Sequence, residues 1–314
     1  MKLKTEIPFV SNENDLINYN SEVLLFGSCF SENIGEKLEY FKFKSRQNPF
    51  GILFHPQAIH NLIENAIQHK IYKESDVFFH NEQWHCFDAH SKLSHSSKTD
   101  LINQLNTQVI ATENYIKNAT HIVITLGTAW VYNFIETDKV VANCHKVPQK
   151  QFKKVLLSVD EISNTLRNIL TQIRTVNYNA TVIFTLSPVR HLKDGFIENS
   201  QSKAHLLAAI HAVVSDKSYY FPSYEIMMDE LRDYRFYAED MIHPNTTAIN
   251  YIWEQFQKVW LSLDTSKIMN NVDVVQKGMK HKPFNPSSEA HLKFLKQLEV
   301  KKEQLQDQFA HMVF

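Results

Sequence analysis

This chain has few glycines and cysteines, little net charge and no long apolar run, and each of these features excludes a class of protein. The 314 residues include six glycines and three cysteines, and the formal net charge is −1 at pH 7. Because no basic block or Arg-rich aromatic segment occurs, nucleic acid and membrane surfaces are not expected as partners. No apolar run approaches the roughly 20 residues of a membrane-spanning helix. The basic N-terminus is not followed by the apolar segment of a signal peptide.

The cysteines and the sixteen histidines bear on compartment and on metal binding. Cys29, Cys86 and Cys144 are odd in number, far apart and outside any CxxC pair, which favours a reducing cytoplasm over a disulfide framework. The one local group of histidines, within residues 85–95, is regularly spaced, whereas zinc ligands usually come in tighter pairs. We therefore expect a cytoplasmic protein that has no metal or other cofactor.

Short apolar runs alternate with amphipathic helical patterns over most of the sequence. The apolar content of 43% is enough for one large core. The predicted strands are residues 22–27, 41–46, 121–126, 181–186 and 219–221. Ser158 and Glu161 form a capping box at the start of one helix, and further helices are predicted from Lys203 to Val214 and from Pro244 to about Trp260. This order predicts an α/β fold, a three-layer αβα sandwich with a central, mostly parallel five-stranded sheet.

Three segments fall outside this alternation. Residues 77–87 and 131–148 are predicted as hairpins or loops inserted above the sheet, where they would wall a pocket or cover a sheet edge. Residues 264–290 are polar and are interpreted as a linker between a domain of residues 1–263 and a C-terminal amphipathic helix in residues 291–314. That helix either packs back on the core or forms the contact of a homodimer.

The tetrad Gly27-Ser28-Cys29-Phe30 follows an apolar run and precedes a helical pattern. A strand, a sharp turn and a helix N-terminus place a nucleophilic side chain where backbone N–H groups and the helix dipole favour developing negative charge. The tetrad is therefore interpreted as the elbow of an active site.

Asp240 and His243 stand before the last predicted helix of the core. Since Pro244 fixes the chain after His243, an aspartate three residues earlier can hydrogen-bond one ring nitrogen and leave the other facing a pocket. These are the base and the orienting carboxylate of a catalytic triad. Asp-x-x-His alone arises by chance in many chains, but it becomes more specific beside an elbow in an alternating α/β sequence.

Residues 23–38, with Gly27-Ser28-Cys29-Phe30-Ser31, resemble the GSCFA family, a branch related to the SGNH (GDSL-like) hydrolases. The likeness covers most of the chain up to about residue 260. The other segments that carry it are Asn48-Pro49-Phe50-Gly51, Thr125 to Trp130, Asn143 to Lys146, Ser187 to His191 and Asp240-x-x-His243. The wider superfamily implies a flavodoxin-like sheet and the hydrolysis or transfer of ester-linked acyl groups.

The superfamily's first block is Gly-Asp-Ser-Leu, in which the serine is the nucleophile. Alignment on Gly27 places Ser28 at the aspartate and Cys29 at the nucleophile. We expect Cys29 to be the nucleophile; the alternatives are Ser28, or a Cys29 that only packs as a small apolar residue. The helix N-terminus and His243 would lower the pKa of the thiol, and the thiolate is the reactive form.

The superfamily's third block is Gly-x-Asn-Asp, whose Asn helps to bind the oxyanion, and this chain has Ala129 in that place. Removal of one such donor typically costs on the order of 3 kcal/mol, so another donor is expected. The candidate oxyanion groups are the backbone N–H groups of Cys29 and Gly51, the Thr128 hydroxyl in the turn after Gly127, and the Asn48 amide. The alternative role for Asn48 is to cap a turn.

Four residues are candidates for substrate binding, namely Arg190, His191, His145 and Trp130. Arg190 and His191 follow the carboxyl end of a predicted strand, where ligands bind in such sheets. Arg190 would hold a carboxylate or phosphate, or else form a structural ion pair. His145 leaves the second insertion and is either a pocket residue or part of a solvated loop.

Together these observations predict an esterase that acts on the ester-linked acyl group, for example acetyl, of a small molecule or glycan. The alternatives are an acyltransferase to a sugar hydroxyl, and a glycan- or carboxylate-binding protein without catalysis.

Overall fold

Ten strands and nine helices are formed in the computed structural model, which describes residues 5–9 and 14–314. The strands are β1 (Glu22–Gly27), β2 (Lys44–Gln47), β3 (Phe78–His80), β4 (Gln83–His85), β5 (His121–Leu126), β6 (Trp130–Phe134), β7 (Lys139–Val141), β8 (Phe152–Leu156), β9 (Thr181–Leu186) and β10 (Ser218–Phe221). The helices are α1 (Cys29–Tyr40), α2 (Pro56–Ile67), α3 (Lys98–Asn118), α4 (Val159–Val176), α5 (Phe196–His211), α6 (Ser223–Glu225), α7 (Thr246–Trp260), α8 (Thr265–Lys280) and α9 (Glu289–Gln308).

A five-stranded sheet in the order β10-β9-β5-β1-β2 forms the centre, and every neighbouring pair in it is parallel. The predicted fold class is therefore confirmed. Counted within this sheet alone, the order is 2-1-3-4-5, which is flavodoxin-like. The direction of winding reverses between β1 and β5, and in such sheets ligands bind outside the carboxyl ends of the strands at that point.

Alternation along each central strand builds a core on both faces of the sheet. In β1, Leu24 and Phe26 join one apolar cluster, which contains residues of α2, α3, α4 and α5. Val23 and Leu25 point the other way and join a second cluster with α1, α7, α8 and α9. Both faces are buried because successive side chains of a strand point in opposite directions. The result is the three-layer arrangement that the alternation of patterns predicts.

The predicted strands at residues 22–27, 121–126 and 181–186 coincide with β1, β5 and β9. β2 starts later than predicted, at Lys44, because the chain turns through Lys42 with φ of 62° before it becomes extended. The capping box at Ser158 and Glu161 is present at the start of α4.

Two helices begin at other residues than the sequence predicts. α5 begins at Phe196, earlier than predicted, and its first turn exposes Phe196 and Ile197, which hides the amphipathic pattern. α7 begins at Thr246, with Asn245 as its N-cap, so Pro244 lies outside the helix.

The two predicted insertions form antiparallel structure above the sheet. β3 and β4 make a hairpin, and β6 pairs with both β7 and β8 in a three-stranded sheet. Aromatic side chains of both insertions pack together, as in the contact between Phe87 and Phe134 with ring centroids 4.9 Å apart. None of the helices in the described part of the chain is long and apolar enough to cross a membrane.

The polar segment after residue 263 is not a linker over its first half, and that prediction is wrong there. Residues 265–280 form α8, in which Met269, Val272 and Val275 are buried at helical spacing against the second cluster. α9 follows, and its Leu298 and Leu305 are buried in the same cluster. The C-terminal helix thus packs back on the core, one of the two alternatives; the homodimer contact and the division of the chain into domains stay predictions.

Gly27 has a φ of +132°, and a Cβ atom there would overlap the carbonyl oxygen of Thr125. Backbone strain and overlap with a rigid strand lead us to expect that Gly27→Ala lowers the free energy of unfolding by about 2 kcal/mol or more. Gly35→Ala is the matched control, because its Cβ would meet only the end of the flexible Gln47 side chain. Urea denaturation of both variants tests this, and equal stability would contradict the expected role of Gly27.

Candidate active site

The elbow forms as the sequence predicts: β1 ends at Gly27, Ser28 caps the helix and Cys29 is the first residue of α1. The N–H of Ser28 donates to the carbonyl of Thr125 at 3.1 Å, which fixes the turn on the neighbouring strand β5. Ser31 adds a second tie, since its hydroxyl bonds to the Thr125 hydroxyl at 2.7 Å. The turn therefore lies at the carboxyl edge of the sheet, beside the winding reversal.

The two candidate nucleophiles differ in what their side chains do. The Ser28 hydroxyl is fully buried and accepts the N–H of Phe30 at 3.3 Å, as an N-cap. The Cys29 side chain is only partly buried, at the start of the helix, and forms no disulfide. An engaged, buried hydroxyl is a poorer nucleophile than a partly accessible thiol, so the geometry favours Cys29.

The pKa of the Cys29 thiol is raised, not lowered as the sequence analysis expects. Burial is the largest cause, and the Glu32 carboxylate adds to it. The backbone N–H groups of Cys29 and Phe30 act in the expected direction but are outweighed. The cation that lowers the pKa of this thiol is Lys203, a residue that the sequence analysis does not single out as functional.

Asp240 and His243 make the expected pair. Nδ1–H of His243 donates to Asp240 Oδ2 at 2.6 Å, while Oδ1 accepts the backbone N–H groups of Ile242 at 2.9 Å and His243 at 3.0 Å. These bonds lower the pKa of the Asp240 carboxyl to about 2, so it is ionised at neutral pH. The His243 side chain is 49% exposed. Nε2 is thus the ring nitrogen that is left to act on a substrate or a nucleophile.

A backbone bond joins this loop to the loop after β9, because the N–H of Arg190 donates to the carbonyl of Ile242 at 3.3 Å. His191 lies over Gly127, where its Nε2 would be 3.0 Å from a Cβ atom. Burial and the charges of Lys203 and His243 lower the pKa of His191 to about 3, so its ring is neutral. The loops after β5 and β9 and the Asp240–His243 loop therefore meet at one edge.

No hydrogen bond joins His243 to Cys29 or to Ser28 among the residues that the structure describes. Apo enzymes often have long or poorly aligned catalytic contacts that tighten when substrate binds.

Asn48 is held next to the elbow. Its Oδ1 accepts the N–H of Gly27 at 2.9 Å, whereas its Nδ2 is buried and bonds to no residue that the structure describes. The backbone at Asn48 has a φ of 43°, which is uncommon outside glycine. An unsatisfied buried donor costs about 1–3 kcal/mol, so this amide N–H, which no fold contact uses, stays a candidate oxyanion donor.

The other predicted oxyanion groups are already engaged. The N–H of Gly51 donates to the carbonyl of Asn48 at 2.7 Å, and the N–H groups of Gly127 and Thr128 both donate to the carbonyl of Phe54. The Thr128 hydroxyl bonds to Ser202 at 3.1 Å. These contacts remove the N–H groups of Gly51, Gly127 and Thr128 as free donors, and the Thr128 hydroxyl is shared with Ser202, where either oxygen can donate. The remaining candidates are the N–H of Cys29, at the open end of α1, and the Asn48 amide.

One of the predicted substrate-binding residues, His145, does not join this edge. His145 is buried among the aromatic side chains of the insertions and donates from Nε2 to the carbonyl of Cys86 at 2.7 Å. Burial lowers its pKa to about 4, so it is a neutral structural histidine and not part of a solvated loop. Trp130 donates from its indole to the carbonyl of Glu198 and packs under Lys154.

Arg190 makes contacts that differ from both predicted roles, namely binding of a carboxylate or phosphate and a structural ion pair. Its guanidinium lies over the ring of Tyr237, 4.4 Å from the centroid, and 5.6 Å from that of Tyr234. Neither ring is an anion, so the expected structural ion pair is replaced by cation–π contacts.

A groove of about 980 Å³ opens between α2 and the two insertions, so the aromatic hairpins do wall a cavity. Its described lining includes none of the predicted site residues. In the same part of the chain, no group of three or more His, Cys, Asp or Glu side chains is placed to hold a metal ion.

Replacement of the cap at Ser28 tests whether this hydroxyl is structural. Ser28→Ala should lower the free energy of unfolding by about 1 kcal/mol, because it leaves the N–H of Phe30 without its acceptor. Ser97→Ala, at the equivalent cap of α3, is the control and should cost a similar amount. Denaturation measures both, while iodoacetamide labelling of Cys29 should persist; loss of labelling in a folded Ser28→Ala protein would refute this assignment.

Comparisons with known proteins bear on this geometry. A model of the GSCFA family matches residues 22–256, and a model of the C-terminal domain of GSCFA domain proteins matches residues 272–314. Among solved structures, the chain is similar to an acetyl xylan esterase from the rumen bacterium Butyrivibrio proteoclasticus, with 11% identity and a TM-score of 0.39. That match covers 84% of this chain and 66% of the esterase. The search of curated proteins found no match. Since the first model spans most of the chain, the protein belongs to the GSCFA family.

Proposed function

We propose that the protein is an acyl-ester hydrolase of SGNH type. Cys29 is its nucleophile, His243 its general base and Asp240 the carboxylate that orients the imidazole. The observation that carries this proposal is the 2.6 Å bond from Nδ1 of His243 to Asp240, on a loop bonded to the same sheet edge that presents Cys29. A base with its orienting group, near a thiol at a helix N-terminus, is the constellation that acyl transfer requires.

In the proposed reaction, Nε2 of His243 takes the proton of the Cys29 thiol as the sulfur attacks the ester carbonyl. The oxyanion accepts hydrogen bonds from the N–H of Cys29 and from the Asn48 amide. Collapse returns the proton to the leaving alcohol and forms a thioester at Cys29. Water, deprotonated by His243, then releases the acid and restores the thiol. The first step requires that substrate binding brings Nε2 within hydrogen-bond distance of the sulfur.

We place the substrate among acyl esters, for example acetyl esters, of small molecules or glycans. If a sugar hydroxyl instead of water attacks the thioester in the second step of the reaction, the protein is an acyltransferase. Product analysis with and without a polyol acceptor separates hydrolysis from transfer.

Binding without turnover is a second candidate, and it has its own support. Ala129 stands where the superfamily has the oxyanion Asn, and the donors around Thr128 are engaged. Such a protein would bind a glycan or carboxylate saturably, Cys29→Ala would leave that binding intact, and the wild type would not turn over any ester.

Loss of either reacting side chain tests the hydrolase proposal. Cys29→Ala and His243→Ala should each lower the turnover of an activated short-chain ester by about 10²-fold or more, since each removes a group that handles the reacting atoms. Cys144→Ala and His69→Ala are the controls, because these side chains lie outside the candidate site. Steady-state rates measure the effect, and unchanged rates in both catalytic variants would exclude the proposal.

The orienting carboxylate gives a separate test with a pH readout. Because the pKa of Asp240 is about 2, its carboxylate is present at every pH from 5 to 9. Asp240→Asn should therefore lower turnover by at least about tenfold across that whole interval, with no pH at which activity recovers. The pH–rate profiles of the two proteins give the comparison. Equal activity at any pH would show that Asp240 does not orient the base.

A further inference from the structure

Lys203 is a buried lysine at the centre of the candidate site. It lies on α5 and is only 2% exposed. Its Nζ donates to the carbonyl of Gly127 at 2.8 Å and to the carbonyl of Ser187 at 2.7 Å. These are the first residues after β5 and β9, so one ammonium group holds together the ends of two neighbouring strands at the edge where the elbow lies.

A buried cation is costly unless an anion accompanies it. In the part of the chain that the structure describes, no carboxylate lies within ion-pair distance of Lys203. Burial lowers the pKa of Lys203 to about 7, and the group that opposes this shift is the Cys29 thiol. The effect is mutual, since Lys203 in turn lowers the pKa of Cys29. While Cys29 is a thiol, Lys203 has no counter-charge among the described residues, and ionisation of Cys29 supplies one.

The groups around the pair come from three other elements. His191, in the loop after β9, is neutral because burial and the charge of Lys203 lower its pKa to about 3. Tyr224 of α6 presents its ring 5.7 Å from Nζ, and burial raises the pKa of its hydroxyl. Glu32 of α1 acts on Cys29, where it opposes thiolate formation. Lys203 is thus the charged side chain that, together with the backbone N–H groups of Cys29 and Phe30, favours a negative sulfur against burial and Glu32.

The hydrogen bonds of Nζ are compatible with both protonation states. A neutral amine has two N–H groups, enough for the two carbonyl acceptors, and an ammonium adds a third. Gain or loss of that third proton changes the charge beside Cys29 without breaking the tie between β5 and β9. Such an arrangement can change charge while the site keeps its shape.

We propose that Lys203 is a positioning residue for Cys29: its ammonium, anchored on the carbonyls of Gly127 and Ser187, stabilises the negative charge of the sulfur. The inference rests on the proposed function in taking Cys29 as the nucleophile. The coupling between the two side chains is nevertheless measurable without any substrate.

The test is the pH dependence of Cys29 alkylation by iodoacetamide, followed by peptide mass spectrometry in the wild type and in Lys203→Met. Loss of the ammonium should raise the apparent pKa of the thiol by about one unit and slow alkylation about tenfold at pH 6.5, where Lys203 is mostly charged because its pKa is about 7. Lys203→Arg, which keeps the charge, should restore most of the rate. Cys144 is the internal control, and its rate should not change.

A measurement on the wild-type side chain covers the case in which Lys203→Met does not fold. In protein labelled with ¹³C at the lysine ε-carbons, the resonance that titrates near neutral pH gives the midpoint of Lys203. The wild-type rate of Cys29 alkylation should rise with pH less steeply around that midpoint than below or above it, because the ammonium is lost there. The rate of Cys144 alkylation should show no such change of slope.

The outcomes separate this inference from the proposed function. Unchanged Cys29 alkylation in a folded Lys203→Met protein, or a wild-type alkylation profile with no change of slope at the lysine midpoint, would overturn the inference even if Cys29-dependent ester turnover is found. A slowed alkylation in a protein that turns over no ester would support the coupling and reject the hydrolase.

Discussion

The close approach of β1 and β5 at their carboxyl ends is the constraint on which the candidate site depends. Gly27 lies where a side chain would overlap the carbonyl of Thr125, and that carbonyl also accepts the N–H of Ser28. The hydroxyl of Ser31 bonds to the Thr125 side chain from the first turn of α1. Because Gly27, Ser28 and Ser31 all approach one residue of β5, the start of α1 has a single position relative to the sheet. Cys29 and its N–H are thereby fixed at the open end of the helix.

The histidines around this edge have different charge states because their surroundings differ. His145 is buried and His191 is half-buried, neither bonds to a carboxylate among the described residues, and each has a pKa far below neutral pH. His243 instead stands half in solvent with Asp240 on one ring nitrogen. An imidazole that stays neutral can position groups but cannot exchange protons near neutral pH. The division of roles among these rings therefore follows from burial and from the placement of one aspartate.

Much of the fold was predictable because its strands are short, apolar and bounded by turn residues. β1, β5 and β9 coincide with their predictions since both faces of these strands are buried, and a continuous apolar run marks their ends. α8 escaped prediction because its buried positions are few and stand among Asn and Lys residues. The start of α5 was not predicted correctly because Phe196 and Ile197 are exposed there.

For the site, local spacing was informative and long-range contact was not. The bond between Asp240 and His243 spans three residues, so the sequence could predict it. The N–H of Gly51 donates to the carbonyl of Asn48, which contradicts the prediction that this N–H binds the oxyanion. Whether a backbone N–H is free depends on turn geometry, which residue types alone do not reveal. The sequence did not predict Lys203 as a site residue, because a lysine in a helical pattern is usually solvent-exposed and its carbonyl partners are distant in sequence.

The joint burial of the two C-terminal helices has an evolutionary consequence. Leu298 and Leu305 of α9 lie in the same apolar cluster as Ile34 and Leu38, which belong to the helix that begins at Cys29. A gene rearrangement that separated the two matched segments would expose to water the apolar residues that α8 and α9 bury in this cluster. Inheritance of both segments as one unit is therefore imposed by packing, whatever chemistry the opposite end of the helix performs.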